Sequence, residues 1–382
     1  MTEAETRAAV WLQAWDGQGA HRTGTAGDAA GADWLAAEAR ALGAEVTIEE
    51  FAFDRLDPVE AYLEIGGARP ERIGAVPVFD APASDPDGIA GRLGADIAVV
   101  ELTPRAVYSG KFQRLRREGG HRALVVICQG DAPGLGLINA EDFRHPYGAP
   151  AIHVPSEARD QVLAAAQDGA GARLVSHSRR APARGANIVV ALKGRGSERP
   201  ALVVMTPRSS WWQSTAERGG GLVCWLESLR AVLAEPNLRS LARDVVFTAN
   251  SGHELGHLGL DAFSARRPGW DESGGADWVH YGANIGAVGS WSSLISNDGD
   301  LRRIGLAALA HAGRPPDDIP PADFVPSGET RDIHRASGRY LTLVGSNRLF
   351  HLPQDRWPHA VDVPAVARIA AASAQMALAL SR

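Results

Sequence analysis

The side chains with the clearest chemical potential lie in one short stretch, residues 244–263. An apolar, β-branched run at 245–248 predicts a buried strand of a mostly parallel sheet. The strand breaks at Ser251-Gly252, and His253 and Glu254 follow at once. Because ligands and catalytic groups gather just beyond the carboxyl ends of strands in open α/β sheets, this imidazole and carboxylate are candidates for metal binding and proton transfer.

Three interpretations of this pair are open. With His257, the pair fits the H-E-x-x-H zincin pattern, which needs both histidines on one face of a helix and the glutamate as base. Here, however, a strand and a turn run directly into the motif, and Gly256 lies inside it. In the second interpretation, His253 and Glu254 end a strand and a new helix begins after them. In the third, both residues only cap that helix.

The second interpretation resembles the Glu-Glu-x-Gly-Leu-x-Gly segment of the M28 aminopeptidase family, with His253 in the first Glu position. Residues 185–194 are similar to another segment of the family, Asn-Val-x-x-x-x-x-Gly. The resemblance implies a zinc-exopeptidase-like α/β fold, with three α/β/α layers around a mostly parallel mixed sheet. Strands that alternate with helices along the chain favour the same class.

Two domains are expected. Residues 1–57 and 185–382 are predicted to form the M28-like α/β domain, and residues 58–184 a smaller β-rich insert. The order of segments 119–126 and 149–155 resembles the protease-associated domain found in M28 relatives. Such an insert would wall or lid the site of the main domain, or assist homo-oligomerisation.

The family holds two zinc ions with five ligands, and matching its motifs to this chain implies that only three remain. The positions of the His and the Asp that belong to the first metal fall on Pro207 and Gly286, neither of which offers a ligand. The remaining positions hold Glu217, Glu254 and His351. One His with two carboxylates is a workable zinc set with a fourth position left for water or substrate. The resemblance therefore implies one divalent metal, with zinc the first choice.

Several other residues near the predicted metal site each have two possible roles. His253 would act as the base in place of glutamate, or become a fourth ligand. Arg208 would clamp a substrate carboxylate or pair with Glu217. Candidates to line the substrate pocket, or else the core, are Trp211, Trp212 and Trp291. An alternative set of ligands, partly in the loop that closes over the site in relatives, is His257, Glu329, Asp332 and His334.

Two of the candidate ligands also have interpretations without a metal. Glu217 would be a solvated carboxylate near a helix start, and His351 a hydrogen-bonded loop histidine. A separate, functional interpretation is that the glycines at 219–221 cradle an anion at a helix N-terminus.

Composition and net charge limit the kinds of partner that this protein could bind. The chain has 382 residues, 45% of them hydrophobic and 22% charged, with a net charge of −6 and no basic block. This is typical of a soluble globular protein and argues against nucleic acid as a partner. Cys128 and Cys224 lie in apolar runs and are expected to be buried free thiols. With no evident signal peptide or membrane span, we expect a cytoplasmic protein.

The leading hypothesis is a single-metal hydrolase, or a related acyl-transfer enzyme, that acts on an amide-type bond of a small molecule or peptide. The competing hypothesis is a metal-free M28 relative that binds a ligand or partner and catalyses nothing. Convergence of Glu217, Glu254 and His351 on one point favours the enzyme. Salt bridges from these carboxylates to Arg208 or Arg218 favour the binding protein.

Overall fold

The computed structural model describes residues 1–67, 69–105, 110–195, 199–235 and 241–382. The strands of this part of the chain are β1 (Thr47–Ile65), β2 (Glu71–Gly74), β3 (Val76–Pro77), β4 (Ile89–Arg92), β5 (Ile97–Leu102), β6 (Ala123–Cys128), β7 (Ala151–Val154), β8 (Gly171–Leu192), β9 (Ala201–Pro207), β10 (Val245–Asn250), β11 (Ala276–Tyr281), β12 (Ser292–Ser296) and β13 (Arg339–Gly345). Its helices are α1 (Glu3–Asp16), α2 (Ala26–Ala41), α3 (Lys111–Glu118), α4 (Arg159–Gln167), α5 (Gly220–Leu233), α6 (Leu258–Ala265), α7 (Gly299–His311), α8 (Glu329–Arg335) and α9 (Val363–Ser381).

A nine-stranded mixed sheet forms the centre of the molecule, with strand order β12-β13-β11-β9-β10-β8-β1-β2 and β4 paired to β8. Its central strands β13, β11, β9 and β10 are parallel, and β8 and β12 flank them in antiparallel orientation. Strands covered on both faces read as continuous apolar runs, which is why 245–248 was recognisable in the sequence. The predicted fold class, an α/β fold with a mixed sheet, is confirmed, and the parallel pairings of the sheet lie between its four central strands.

Helices cover both faces of this sheet. Alternate residues of β9 point to opposite sides, so Leu202 and Val204 join one core, while Val203 and Met205 join the other. Residues of α1, α2, α5, α7 and α9 pack in the first core, and residues of α6 and α8 in the second. Helix α9 is long and apolar enough to cross a membrane by composition alone, but its buried side is part of the first core.

The insert contains a separate four-stranded sheet with the order β3-β7-β6-β5. Long strands β1 and β8 pair with each other from Thr47↔Val189 to Ile65↔Ala172, and both cross the predicted domain boundaries at residues 57/58 and 184/185. The two-domain division stays a prediction, since the chain passes from main sheet to insert within continuous strands.

Strand β11 ends at Tyr281, because Asn284 and Gly286 adopt φ values of 68° and 73°, which end an extended backbone. One local expectation was wrong. Residues 329–335, expected as loop, form the short helix α8. The expectation for the cysteines is confirmed, since Cys128 and Cys224 are buried and free.

Candidate functional site

The site lies where the parallel strands end. Ser209 follows β9, His253 and Glu254 follow β10, Asn284 follows β11, and the segment after β13 leads to His351. Because these strands run in the same direction, the segments that leave them meet at one edge of the sheet.

Glu254 is buried and bound on both sides by the protein. Its Oε1 accepts a hydrogen bond of 2.7 Å from the amide of Thr23, and its Oε2 accepts one of 2.6 Å from the hydroxyl of Ser209. Burial raises the pKa of Glu254 in spite of these bonds. The carboxylate therefore ties the loop before α2 to the end of β9, and its ligand role stays a prediction.

Glu217 lies in a wide helical turn, residues 215–219, just before α5. The buried carboxylate of Asp355 holds this turn by accepting hydrogen bonds from the amides of Ala216 and Glu217, at 2.7 and 3.0 Å. Glu217 Oε1 lies 2.7 Å from a guanidinium nitrogen of Arg218 and 3.4 Å from His351 Nε2. Burial alone would raise the pKa of Glu217, but Arg218 and His351 outweigh it and hold this pKa at about 2.

His351 reaches Glu217 from the loop after β13. Its Nδ1–H donates to the carbonyl of Leu137, in the insert, at 2.7 Å. Its Nε2 faces Glu217 and has no hydrogen-bond partner among the described residues, and neither carboxylate oxygen of Glu217 has one. Glu217 and His351 are thus brought together, but Glu254 is held by Thr23 and Ser209.

A different set of ligands converges within the described part of the chain. His253, His257 and Glu329 are buried, and each offers one ligand atom within 4.8 Å of the other two. His253 Nδ1 lies 2.8 Å from Glu329 Oε2, and the two imidazole centroids are 5.3 Å apart. We call these three residues the triad.

Charge and hydrogen bonding prepare the triad for a cation. Burial, followed by the charge of Arg218, lowers the pKa of His253 to about 4, so this imidazole is neutral at pH 7. Despite burial, the neighbouring His253 holds the pKa of Glu329 well below its usual range. His257 Nδ1–H donates to Asp332 Oδ2 at 2.5 Å, so Nε2 is the ring nitrogen left to face a metal. Burial lowers the pKa of His257, but this bond and the charge of Glu329 outweigh burial and raise it.

His280, which the sequence analysis missed, borders the triad. Its Nε2 is 3.7 Å from Glu329 Oε2 and lacks a hydrogen-bond partner in the described ranges. Its Nδ1 is held by the hydroxyls of Thr330 and Thr342, at 2.6 and 2.7 Å. The available signal was a histidine one residue before the end of a buried strand, in the run Trp-Val-His-Tyr.

The triad combines residues from two predicted metal sites, the H-E-x-x-H pattern and the alternative ligand set. His253 and His257 come together as a zincin would require, but not on a helix: His253 is in a 3₁₀ turn, and His257 has a φ of 64° just before α6. Glu329 and Asp332 come from the second predicted cluster. His334 of that cluster instead has its Nδ1 3.1 Å from the hydroxyl of Tyr340.

The substrate role expected for Arg208 stays a prediction. Its side chain is fully buried and pairs with Asp28 at 2.9 Å, and one of its nitrogens donates to the carbonyl of Ala186 at 2.8 Å. The alternative expectation, an ion pair between Arg208 and Glu217, is wrong, because Glu217 pairs with Arg218.

The three tryptophans have different positions. Trp211 is buried, with its Nε1–H donating to Asn139 in the insert at 3.0 Å, so the alternative of a core residue holds. Trp212 donates to the carbonyl of His351 at 3.0 Å. Trp291 is exposed and lines a surface cavity of about 440 Å³ together with Arg105 and Phe350.

The two-zinc ligand set implied by the resemblance does not fit this chain. Pro207 ends β9 without a donor atom. At Gly286 even a Cβ would lie 2.3 Å from a side-chain carbon of Val366, so no aspartate fits there. The triad fits one ion better, since two imidazoles and a carboxylate are a known zinc set and Asp332 supports one ligand.

No protein-family model matches this chain, and no characterised protein matches it by sequence. Solved structures do match. A zinc aminopeptidase from Bacillus subtilis aligns with a TM-score of 0.75 and 16% identity, covering 97% of this chain and 94% of its own. A peptidase M28 precursor from Shewanella amazonensis SB2B gives 0.75 and 14%, covering 100% and 95%. An aminopeptidase from Aneurinibacillus sp. strain AM-1 gives 0.73 and 13%, covering 99% and 94%. The chain therefore has an M28 zinc-aminopeptidase-like fold, as the resemblance predicted.

Proposed function

We propose that this protein is a metal-dependent hydrolase that cleaves an amide-type bond in a small molecule or peptide. The observation that carries the proposal is the triad His253, His257 and Glu329, buried at the strand ends of a fold shared with zinc aminopeptidases. One zinc ion per chain is the expected cofactor, because two imidazoles and one carboxylate suit zinc and leave a position for water.

When bound, zinc would supply a Lewis acid that polarises the substrate carbonyl and lowers the pKa of water. The chain's residues prepare this chemistry. Asp332 accepts the Nδ1 proton of His257 and so aims the other nitrogen at the triad. Helix α8 carries both Glu329 and Asp332, so it supplies one ligand and the support of another.

Proton transfer is assigned to His280 in this proposal. Its Nε2 is unpartnered within the described residues, and it lies next to Glu329 without being one of the three ligands. Two threonine hydroxyls fix the ring, so that nitrogen can take the proton of the attacking water and return it to the leaving amine. His253, expected from the sequence to manage the proton, serves as a ligand instead.

The substrate would approach through the cavity lined by Trp291, Arg105 and Phe350. The imidazole of His351 stacks on Phe350, with ring centroids 3.9 Å apart, so this cavity borders His351, which in turn faces Glu217. Its volume of about 440 Å³ suits a small substrate. An aromatic wall and a guanidinium favour an apolar or anionic substituent next to the scissile bond.

Metal content tests the proposal. The protein is stripped with chelator, reloaded with zinc, and compared with variants His257→Ala and Asp332→Ala, and with Glu217→Gln as the matched control. We expect about one zinc per chain in the wild type and in Glu217→Gln. His257→Ala should lose the ion, and Asp332→Ala should bind it about 10- to 100-fold more weakly.

The opposite pattern, zinc lost with Glu217→Gln and kept with His257→Ala, would return the metal to the set implied by the resemblance. No zinc in any variant would reject the metal-dependent mechanism. A loaded wild type is then assayed with aminoacyl amides and dipeptides, and Asp332→Ala should lose activity in parallel with zinc.

A second function, a metal-free protein that binds a ligand or partner, is favoured by one observation. Glu217 is salt-bridged to Arg218, and the adjoining insert contributes Leu137 and Ala140, which bond His351 and the carbonyl of Glu254. This closed, paired arrangement is what the non-catalytic hypothesis expected. Absence of both zinc binding and hydrolysis would support it.

A further inference from the structure

Arg218 is an unusual residue for the interior of an enzyme site. Its side chain is 0% exposed, and its Nε–H donates to the carbonyl of Ser209 at 2.7 Å. One terminal nitrogen lies 2.7 Å from Glu217 Oε1, yet neither terminal nitrogen forms a hydrogen bond of good geometry among the described residues. The guanidinium is therefore held by one hydrogen bond at Nε and by the charge of Glu217.

Glu217 and His351 together have the form of half a metal site. The 3.4 Å between Glu217 Oε1 and His351 Nε2 is close to the separation of two ligands on one zinc ion, roughly 3.3 Å for bonds near 2.0–2.1 Å. Both atoms lack a hydrogen-bond partner in the ranges described. Since a buried carboxylate needs a compensating cation, something positively charged must stay beside Glu217.

We propose that the Arg218 guanidinium is the resident cation of the Glu217–His351 pair and excludes a divalent metal from it. Arginine keeps its proton under all ordinary conditions, so its charge is permanent. A metal ion at Glu217 Oε1 would share that oxygen with the guanidinium, and two cations at such a distance repel strongly in a buried site.

The neighbouring residues offer a metal little compensation. Both oxygens of Glu254 already accept bonds from Thr23 and Ser209, and no side chain fits at Gly286. Only two donors remain, which is too few to hold zinc tightly against a competing guanidinium. A salt bridge has thus taken the place of a metal in this part of the fold.

The test removes the guanidinium in a protein that cannot bind zinc at the triad. His257→Ala is compared with His257→Ala/Arg218→Met, whose methionine fills similar space without charge. Zinc content and the zinc-induced rise in melting temperature are measured for both. We expect about one additional zinc per chain in the double variant only, with a higher melting temperature when zinc is present.

Two controls sharpen the result. His257→Ala/Arg218→Lys keeps the charge and should bind no additional zinc. Adding His351→Ala to the double variant should abolish the gain. A folded His257→Ala/Arg218→Met protein that gains no zinc would overturn the proposal.

If the methionine variant does not fold, the wild type decides the question. Zinc that is present in the wild type and lost in both Glu217→Gln and His351→Ala would overturn the proposal, while zinc retained in both supports it. The inference goes beyond the proposed function. The exclusion of metal by Arg218 and the binding of metal by the triad can each be refuted without the other. If the triad binds no metal, the comparison of His257→Ala with His257→Ala/Arg218→Met still tests the role of Arg218.

Discussion

The buried pair of Asp28 and Arg208 gives the sharpest prediction about how the site is held together. Asp28 lies in the first turn of α2 and Arg208 just after β9. Asp28 Oδ1 is 2.9 Å from Arg208 and accepts a bond of 2.8 Å from the hydroxyl of Ser251, and its Oδ2 accepts one of 2.8 Å from the amide of Gly24. One carboxylate thus connects α2 to the ends of β9 and β10.

We expect Asp28→Ala to lower the free energy of unfolding by about 4 kcal/mol. Removing one partner of a buried ion pair costs about 3–5 kcal/mol, because the other charge stays buried without compensation. For 382 residues, the entropy of unfolding is roughly 0.8 kcal/mol/K, so the melting temperature should fall by about 5 °C.

Urea unfolding followed by tryptophan fluorescence and circular dichroism measures this change. Asp28→Asn keeps acceptor capacity and should lose less stability than Asp28→Ala. The double variant Asp28→Ala/Arg208→Met should regain at least half of the loss, because removing both charges leaves neither charge of this ion pair buried without its partner. A loss below about 1 kcal/mol in Asp28→Ala, or strictly additive losses in the double variant, would refute the reasoning.

Two further predictions concern packing and pH. Gly220→Ala places a Cβ 1.9 Å from the carbonyl oxygen of Ile285, so we expect a loss of about 3 kcal/mol or more in urea unfolding. Gly299→Ala in α7, where a Cβ meets nothing within 4 Å, should be neutral or stabilising. Equal losses in the two variants would contradict the account. His153 is buried without hydrogen-bond partners among the described residues, and burial, with Arg116, lowers its pKa to about 3. Because its unfolded pKa is higher, about 6.5, wild-type stability should fall as pH drops from about 6.5 towards 3. His153→Leu should therefore gain about 3 kcal/mol relative to wild type between pH 7 and pH 4, and a difference independent of pH would show that His153 does not titrate in this way.

The glycines at 219–221 illustrate how a local pattern changes meaning in the fold. Three glycines before a helix were compatible with an anion cradle. In the structure, Gly220 instead lets α5 approach the carbonyl of Ile285, and Gly221 approaches the hydroxyl of Thr206 and the carbonyl of Tyr281. Close packing of backbone on backbone explains these two glycines without a ligand.

The sequence by itself determined the scaffold of this protein. Apolar runs, their spacing and the glycines at element ends set the strands and helices, and the alternation of these elements predicted an α/β fold. The M28-like form of this fold was implied by the resemblance of short segments to that family. The resemblance also implied that two ligands of the family are missing at Pro207 and Gly286, because neither residue has a side-chain donor atom. These features depend on residue type and on neighbours close in the chain.

Only the tertiary structure decided which side chains meet. His253 pairs with Glu329 and His257 with Asp332, across 76 and 75 residues of chain, and both acids lie on a helix that was expected to be a loop. Glu254 accepts hydrogen bonds from Thr23 and Ser209, while the buried side chain of Arg218 pairs with Glu217. Whether two side chains come within bonding distance depends on the backbone and side-chain torsion angles of each residue. It also depends on how segments distant in the sequence pack together. Periodicity along the sequence carries no information about either, so the site was defined by the assembled fold.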